Sequence, residues 1–190
     1  MIKEFKFEKK KTVNTSDPLP AGGYVAKIMG AELIKYDWGD VLKLSFDIAE
    51  GEQKEFFAMQ YRGNTNEDKK WKGTFRITIP NEESEYFESQ LKTWSNFIAC
   101  MEESNAGYIF DWDEAKFKNK LIGVLFRNKE WEYNNMTGWT TECCAVRSAI
   151  DIREGNFKIP RDKPLKNKPS SAGVSGFVEA AAEDDDDLPF

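Results

Sequence analysis

At 190 residues and 14% aromatic content, the chain is long enough for one domain with a substantial core plus appended tails. Histidine is absent, which removes the commonest general base, the histidine-dependent nucleophile arrangements and the usual zinc ligand; no phosphate-binding glycine loop or spaced cysteine cluster stands in for them, so an enzyme is not expected and no cofactor or metal is implied. The net charge of −6 belongs to the C-terminal stretch, where Glu179, Glu183 and Asp184 to Asp187 meet no lysine or arginine after Pro169, leaving residues 1–168 neutral overall and able to carry a basic face.

Cys100, Cys143 and Cys144 do not form a spaced disulfide framework. The start "MIKEFKFEKKK" lacks the apolar stretch of a signal peptide, and no run of about 18 apolar residues could span a membrane. The expectation is a cytoplasmic, reduced protein with no membrane partner.

In chain order, "YVAKIMGAELI" (24–34) reads as a long strand whose Gly30 marks a bulge or bend. After "KYDWGD", the stretch "VLKLSFDI" (41–48) alternates with period two and reads as a half-buried strand. "KEFFAMQY" (54–61) reads as a third strand with Phe57, Met59 and Tyr61 on one face, and "TFRITIP" (74–80) as a further short one in which Phe75, Ile77 and Ile79 alternate against Arg76 and Thr78. Phe87, Leu91, Trp94, Ile98 and Met101 then recur at helical spacing, between a start at Pro80–Asn81 and a stop at "SNAG". "DWDEAKF" adds a helical turn, and residues 120–133 and 138–149 form a hairpin across "NNMTG".

Three meandering strands, a helix and a closing hairpin give an expected fold that is all-β with one helix: an OB-fold, a five-stranded Greek-key barrel with its helix between strands 3 and 4. A β-sandwich or SH3-like barrel with one helix fits the same pattern. The strand at 74–80 and the N-terminal "EFKFEKKK" exceed the five-stranded plan, as an insertion or an oligomer contact. The expected organisation is a binding domain over 1–152, a Pro/Ser/Gly/Lys-rich linker over 153–182 and an acidic tip over 183–190.

An OB barrel binds through the face of strands 2 and 3 and the loops joining strands 1 to 2 and 4 to 5. Lys35, Tyr36 and Trp38 fall in the first loop, Lys43 on the outer side of strand 2, and Arg127, Lys129, Trp131, Tyr133 and Trp139 in the hairpin. After strand 3, Trp71 is enclosed by Lys69, Lys70 and Lys72. Rings interleaved with cations suit a single nucleic-acid strand, whose bases stack on the rings while cations neutralise phosphates. Packing at a barrel rim is an equal alternative for Trp38, Trp131, Tyr133 and Trp139. Trp71 leans toward ligand contact, because a ring flanked by lysines is awkward to bury. Trp94 belongs to the core, and Cys143 and Cys144 read as small strand residues.

The tail "DDDDLPF", behind such a body and linker, resembles the ends of the bacterial single-stranded DNA-binding protein (SSB) family. "GGYVAKI", "WKGTFRITIP" and "ESNAGYIFDWDEAKFKNKLIGVLF" are similar to phage-encoded SSB-like proteins. The resemblance implies a protein that coats and protects single-stranded DNA, and a tip, Asp184, Asp185, Asp186, Asp187, Leu188, Pro189 and Phe190, that docks replication, recombination and repair proteins. The chemistry of the tip agrees: the Phe190 ring suits an apolar pocket, its carboxylate a basic group, and the aspartates a basic rim. The linker is shorter than in many bacterial members and basic near its start, so their tetramer and wrapping modes do not carry over. Two other readings remain: an RNA-binding OB protein of cold-shock character, and a magnesium-dependent nucleic-acid-processing enzyme using Asp111, Asp113 and Glu114. Against the second, "DWDEAKF" reads more simply as an acidic helix start.

Overall fold

The computed structural model describes residues 17–165. The N-terminal "EFKFEKKK" and the tip Asp184–Phe190 lie outside the described residues. The chain is mainly β, a five-stranded antiparallel sheet of order β3-β2-β1-β4-β5 with helices around it. The strands are β1 (Gly22–Tyr36), β2 (Gly39–Ile48), β3 (Thr74–Thr78), β4 (Leu121–Tyr133) and β5 (Met136–Arg147).

The central strand β1 serves two partners: Gly22–Lys27 pair with Phe126–Leu121 of β4, and Ala26–Tyr36 pair with Ile48–Gly39 of β2. The register slips between Ile28 and Gly30, a bulge that bends the strand where it passes from one partner to the other, as the strand glycine suggests. Along β2, Leu42, Leu44, Phe46 and Ile48 are all but fully buried, so the period-two pattern correctly identifies the inward face.

Residues 54–61 are not a strand. A turn ends at Glu55, whose φ of 61° is left-handed, and α1 (Phe56–Gly63) follows. Adjacent Phe56 and Phe57 both enter the core, which a strand would not allow because successive side chains point to opposite faces. The helix start is held from ten residues away: the Asp47 carboxylate accepts the N–H groups of Phe57 at 2.9 Å and Ala58 at 3.1 Å, as well as that of Ile48. These satisfy donors that a helix N-terminus otherwise leaves unpaired. With α1 removed from the strand count, residues 74–78 are the third strand rather than an addition to the plan.

The helix α2 (Phe87–Ser104) forms as its spacing predicts, but its buried face is turned about one residue from the expected stripe. Trp94, Phe97, Cys100 and Met101 are buried, whereas Leu91 is 38% exposed. Phe97 meets Phe117 at 5.3 Å, and Phe110 stacks on Phe117 at 5.4 Å, so the short 3₁₀ turn Glu114–Phe117 plugs the core beside α2. Burying rings of this size contributes roughly 1.5–3 kcal/mol each. Asn105 fastens the helix end to β4: its Nδ2 donates to the carbonyl of Leu121 and its Oδ1 accepts the N–H of the same residue.

The hairpin turn is tighter than the expected "NNMTG" loop, with Asn134 and Asn135 alone at φ 48° and 60°. Two consecutive left-handed residues make the turn whose twist suits a hairpin, and asparagine tolerates that conformation. The body also continues past residue 152. Helix α3 (Ala149–Glu154) lays Ile152 over Gly123, and Phe157 lies against Gly23, positions where a Cβ would collide with those side chains. Residues 161–165 then follow the free edge of β4: Lys163 exchanges backbone hydrogen bonds with Asn128 and Glu130, and the Leu165 N–H donates to the Glu130 carboxylate. The first part of the expected linker is therefore packed on the domain.

Burial pushes the Asp47 carboxyl above its ordinary value, and the three backbone N–H bonds pull it only part of the way back. Between the unfolded value and that raised one, the native chain binds more protons than the unfolded chain, so this group's contribution to stability falls as pH rises through that window. Asp47→Asn should flatten this pH dependence in urea titrations. Asp47→Ala, which leaves the α1 donors unpaired, should cost about 1–3 kcal/mol by urea midpoint.

Candidate nucleic-acid interface

The β1–β2 hairpin closes through Asp37 and Trp38, with Tyr36 opposite Gly39 and Lys35 opposite Asp40. The tip projects beyond the core, so its rings stay in solvent: Tyr36 is 41% and Trp38 51% exposed. They stack on each other with centroids 5.0 Å apart and planes 9° from parallel. A half-exposed stacked pair of rings suits contact with a planar base, and Lys35 precedes it in the strand.

On the outer face of the sheet, Lys43 sits between Glu32 of β1 and Arg76 of β3. Its ammonium contacts Glu32 at 3.3 Å, so part of its charge is answered within the protein. Arg76 is exposed in the same row, and the expected residue set missed it. The signal was present, since Arg76 points away from Phe75 and Ile77 in an alternating strand.

The β4–β5 hairpin divides the residues expected there between two faces. Arg127, Lys129, Trp131 and Tyr133 alternate along one side of β4, whereas Trp139 pairs with Glu130 on the other. Trp131 lies over Gly138, where any side chain would meet its ring. Tyr133 remains 67% and Trp139 51% exposed. Glu142 binds both hairpin cations, accepting from Arg127 Nη2 at 2.8 Å and Lys129 Nζ at 2.8 Å. Burial pushes the Glu142 carboxyl up, but the bonds from Lys129 and Arg127 outweigh it and hold the group below its ordinary value. One carboxylate against two cations leaves this face positive.

The lysine-flanked ring is packed rather than open. Trp71 is half-buried against the core and lies 5.8 Å from Tyr61, and its Nε1 donates to the carbonyls of Phe46 at 2.9 Å and Gly73 at 3.1 Å. Lys69 turns back over the Tyr61 ring and donates to the Asn64 carbonyl. Lys70 and Lys72 remain exposed, and Lys72 shares a cleft with Thr140, Thr141 and Glu142 of β5. The structure thus brings Lys72 toward the hairpin cations. Lys35, Tyr36 and Trp38 form a separate cluster at the far end of β1 from the residues that pair with β4.

Ile109 and Trp112, outside the expected set, are 77% and 79% exposed. Their surroundings are acidic: Lys116 bonds both Asp111 and Asp113, and Asp113 caps the 3₁₀ turn by accepting the N–H of Ala115. The carboxylates considered for a magnesium site thus include two engaged with Lys116. Among the described residues no group of three or more His, Cys, Asp or Glu side chains is arranged to hold a metal ion, and no helix is long and apolar enough to cross a membrane. Burial pushes the Cys143 and Cys144 thiols up, which disfavours the reactive thiolate. No protein-family model matches the chain, and no curated protein is significantly similar to it.

Trp71 and Trp38 should separate on substitution. Trp71→Ala removes a packed ring and two hydrogen bonds and should cost about 3 kcal/mol, the lower end of the range for such truncations. Trp38→Ala should leave the melting temperature within 2 °C or so of the parent, since surface changes usually stay within ~0.5 kcal/mol. Thermal unfolding of the two variants beside the parent chain checks both.

Proposed function

We propose that the chain is a non-catalytic single-stranded DNA-binding protein on an OB-type barrel. It coats and protects exposed strands with little sequence preference and recruits partner proteins through its acidic C-terminal tip. The observation that carries this reading is the exposed, stacked Tyr36–Trp38 pair at the β1–β2 tip. A second set of rings and cations on the β4–β5 hairpin supports it, because an OB barrel binds through those same two loops. The sheet order, with β1 shared between β2 and β4, and the position of α2 between β3 and β4 in the chain suit the OB plan.

On this reading Tyr36 and Trp38 stack bases, Trp131, Tyr133 and Trp139 offer further rings, and Lys35, Lys43, Arg76, Lys70, Lys72, Arg127 and Lys129 answer phosphates. Lys69 and Trp71 support the loop that carries Lys70 and Lys72. The resemblance of the tail extends the proposal to phage DNA replication and recombination in the host cytoplasm. Stacking and phosphate neutralisation serve RNA as well, so an RNA-binding role is the second reading, and competition between DNA and RNA oligomers of one sequence decides between them.

Trp38→Ala and Tyr36→Ala should each weaken binding to oligo-dT by about 1–3 kcal/mol, roughly fivefold to 150-fold, if a base stacks at the tip. Unchanged affinity in both variants, measured by fluorescence anisotropy of labelled oligo-dT, would contradict the proposal. Removing Phe190 alone should abolish capture of replication and recombination proteins in pull-downs while oligo-dT affinity is kept, since the aspartates remain but the ring and the correctly placed carboxylate are lost. Undiminished capture would reduce the tip to a charged tail.

A further inference from the structure

Arg127 and Lys129 lie two positions apart in β4, so their side chains leave one face of the strand about 7 Å from each other. Like charges repel at such a distance, and long side chains have the rotamer freedom to turn apart. Here they converge on one carboxylate. Glu142 of β5 stands directly opposite Arg127 in the ladder and diagonal to Lys129, whose own partner is Thr140. Its Oε1 accepts Nε and Nη2 of Arg127 at 3.0 and 2.8 Å, and the carboxylate's other oxygen, Oε2, accepts Lys129 Nζ at 2.8 Å.

Both carboxylate oxygens are committed, but the cations are not used up. The contacts take two of a guanidinium's five N–H groups and one of an ammonium's three, so each cation keeps donors for a further oxygen. Both side chains also stay partly open to solvent. Exposed Lys72 borders the same cleft as Glu142 and adds a third positive charge there. The ion pair at Lys43 is of another kind: Glu32 is largely exposed and meets a single cation at 3.3 Å, so it only subtracts charge from that face.

We infer that Glu142 is a positioning residue of the single-strand interface, holding Arg127 and Lys129 side by side so that together they bind one phosphate of the strand. The inference rests on the proposed single-strand reading. Two neighbouring cations can take the two free oxygens of a phosphodiester, and ordering them beforehand removes an entropy cost that binding would otherwise meet.

The test measures the affinity of the full chain for labelled oligo-dT by fluorescence anisotropy, over a series of salt concentrations and below the melting transition of every variant. Charge alone predicts that losing a carboxylate tightens binding to a polyanion. Glu142→Gln should instead weaken it about fivefold, the scale of ordering one long side chain, and make the log-log salt slope shallower by roughly 0.7, one phosphate contact. Glu132→Gln removes the same charge from an exposed position on the other face of β4 and should bind at least as tightly as the parent. In a Lys129→Gln background, Glu142→Gln should weaken binding less than about twofold, because a cation it positions is already gone. Unchanged or tighter binding by Glu142→Gln overturns the inference, as does a weakening that persists in full in the Lys129→Gln background. A parent chain that fails to bind oligo-dT overturns the single-strand reading and this inference together, whereas equal binding by parent and Glu142→Gln overturns the inference alone.

Discussion

The division of β1 between two partners is the constraint on which the rest of the molecule depends. Its first residues must satisfy β4 and its last residues β2, and the bulge between Ile28 and Gly30 provides the bend that lets one strand do both. Each hairpin tip is placed by this arrangement. The β1–β2 tip extends from one end of the strand, and β4 runs beyond the other end, past Phe126, to carry the second tip.

The aromatic side chains divide accordingly. Phe46, Phe56, Phe57, Phe97, Phe117 and Phe126 are buried, and several meet edge to face at centroid distances of 5.3–6.3 Å. Tyr36, Trp38, Tyr133 and Trp139 lie at or near the tips, where there is no core to enter. Exposed rings of this size forgo the stabilisation that burial would give, and on the proposed reading a nucleic acid covers them. The proposed single-strand interface uses these rings, with lysines and arginines that the fold engages only in part.

Strand β2 and helix α2 were legible because each carries its own periodicity, and β1 and the closing hairpin because apolar, β-branched stretches are bounded by turn residues. Residues 54–61 were not, since Phe57, Met59 and Tyr61 alternate by chance and the deciding partner, Asp47, lies ten residues upstream. Trp71 misled for a similar reason. Its lysine neighbours in sequence suggest exposure, but its indole N–H reaches the Phe46 carbonyl 25 residues away. The segment near 155–165 has the composition of a linker, and only the glycines beneath Phe157 and Ile152 and the open edge of β4 account for its packing. The tip rings were legible as candidates because a turn between two strong strands leaves its side chains outside; that Tyr36 and Trp38 stack together was not.

The central claim is that the rings and cations at the tips serve a single nucleic-acid strand. Titrating the full chain with oligo-dT, while following tryptophan fluorescence at a series of salt concentrations, tests it most directly. The account predicts quenching at low salt, a log-log salt slope of roughly −0.7 for each phosphate contact, and much weaker binding to a duplex of equal length. Absent quenching at low salt, or equal affinity for duplex and single strand, would contradict it.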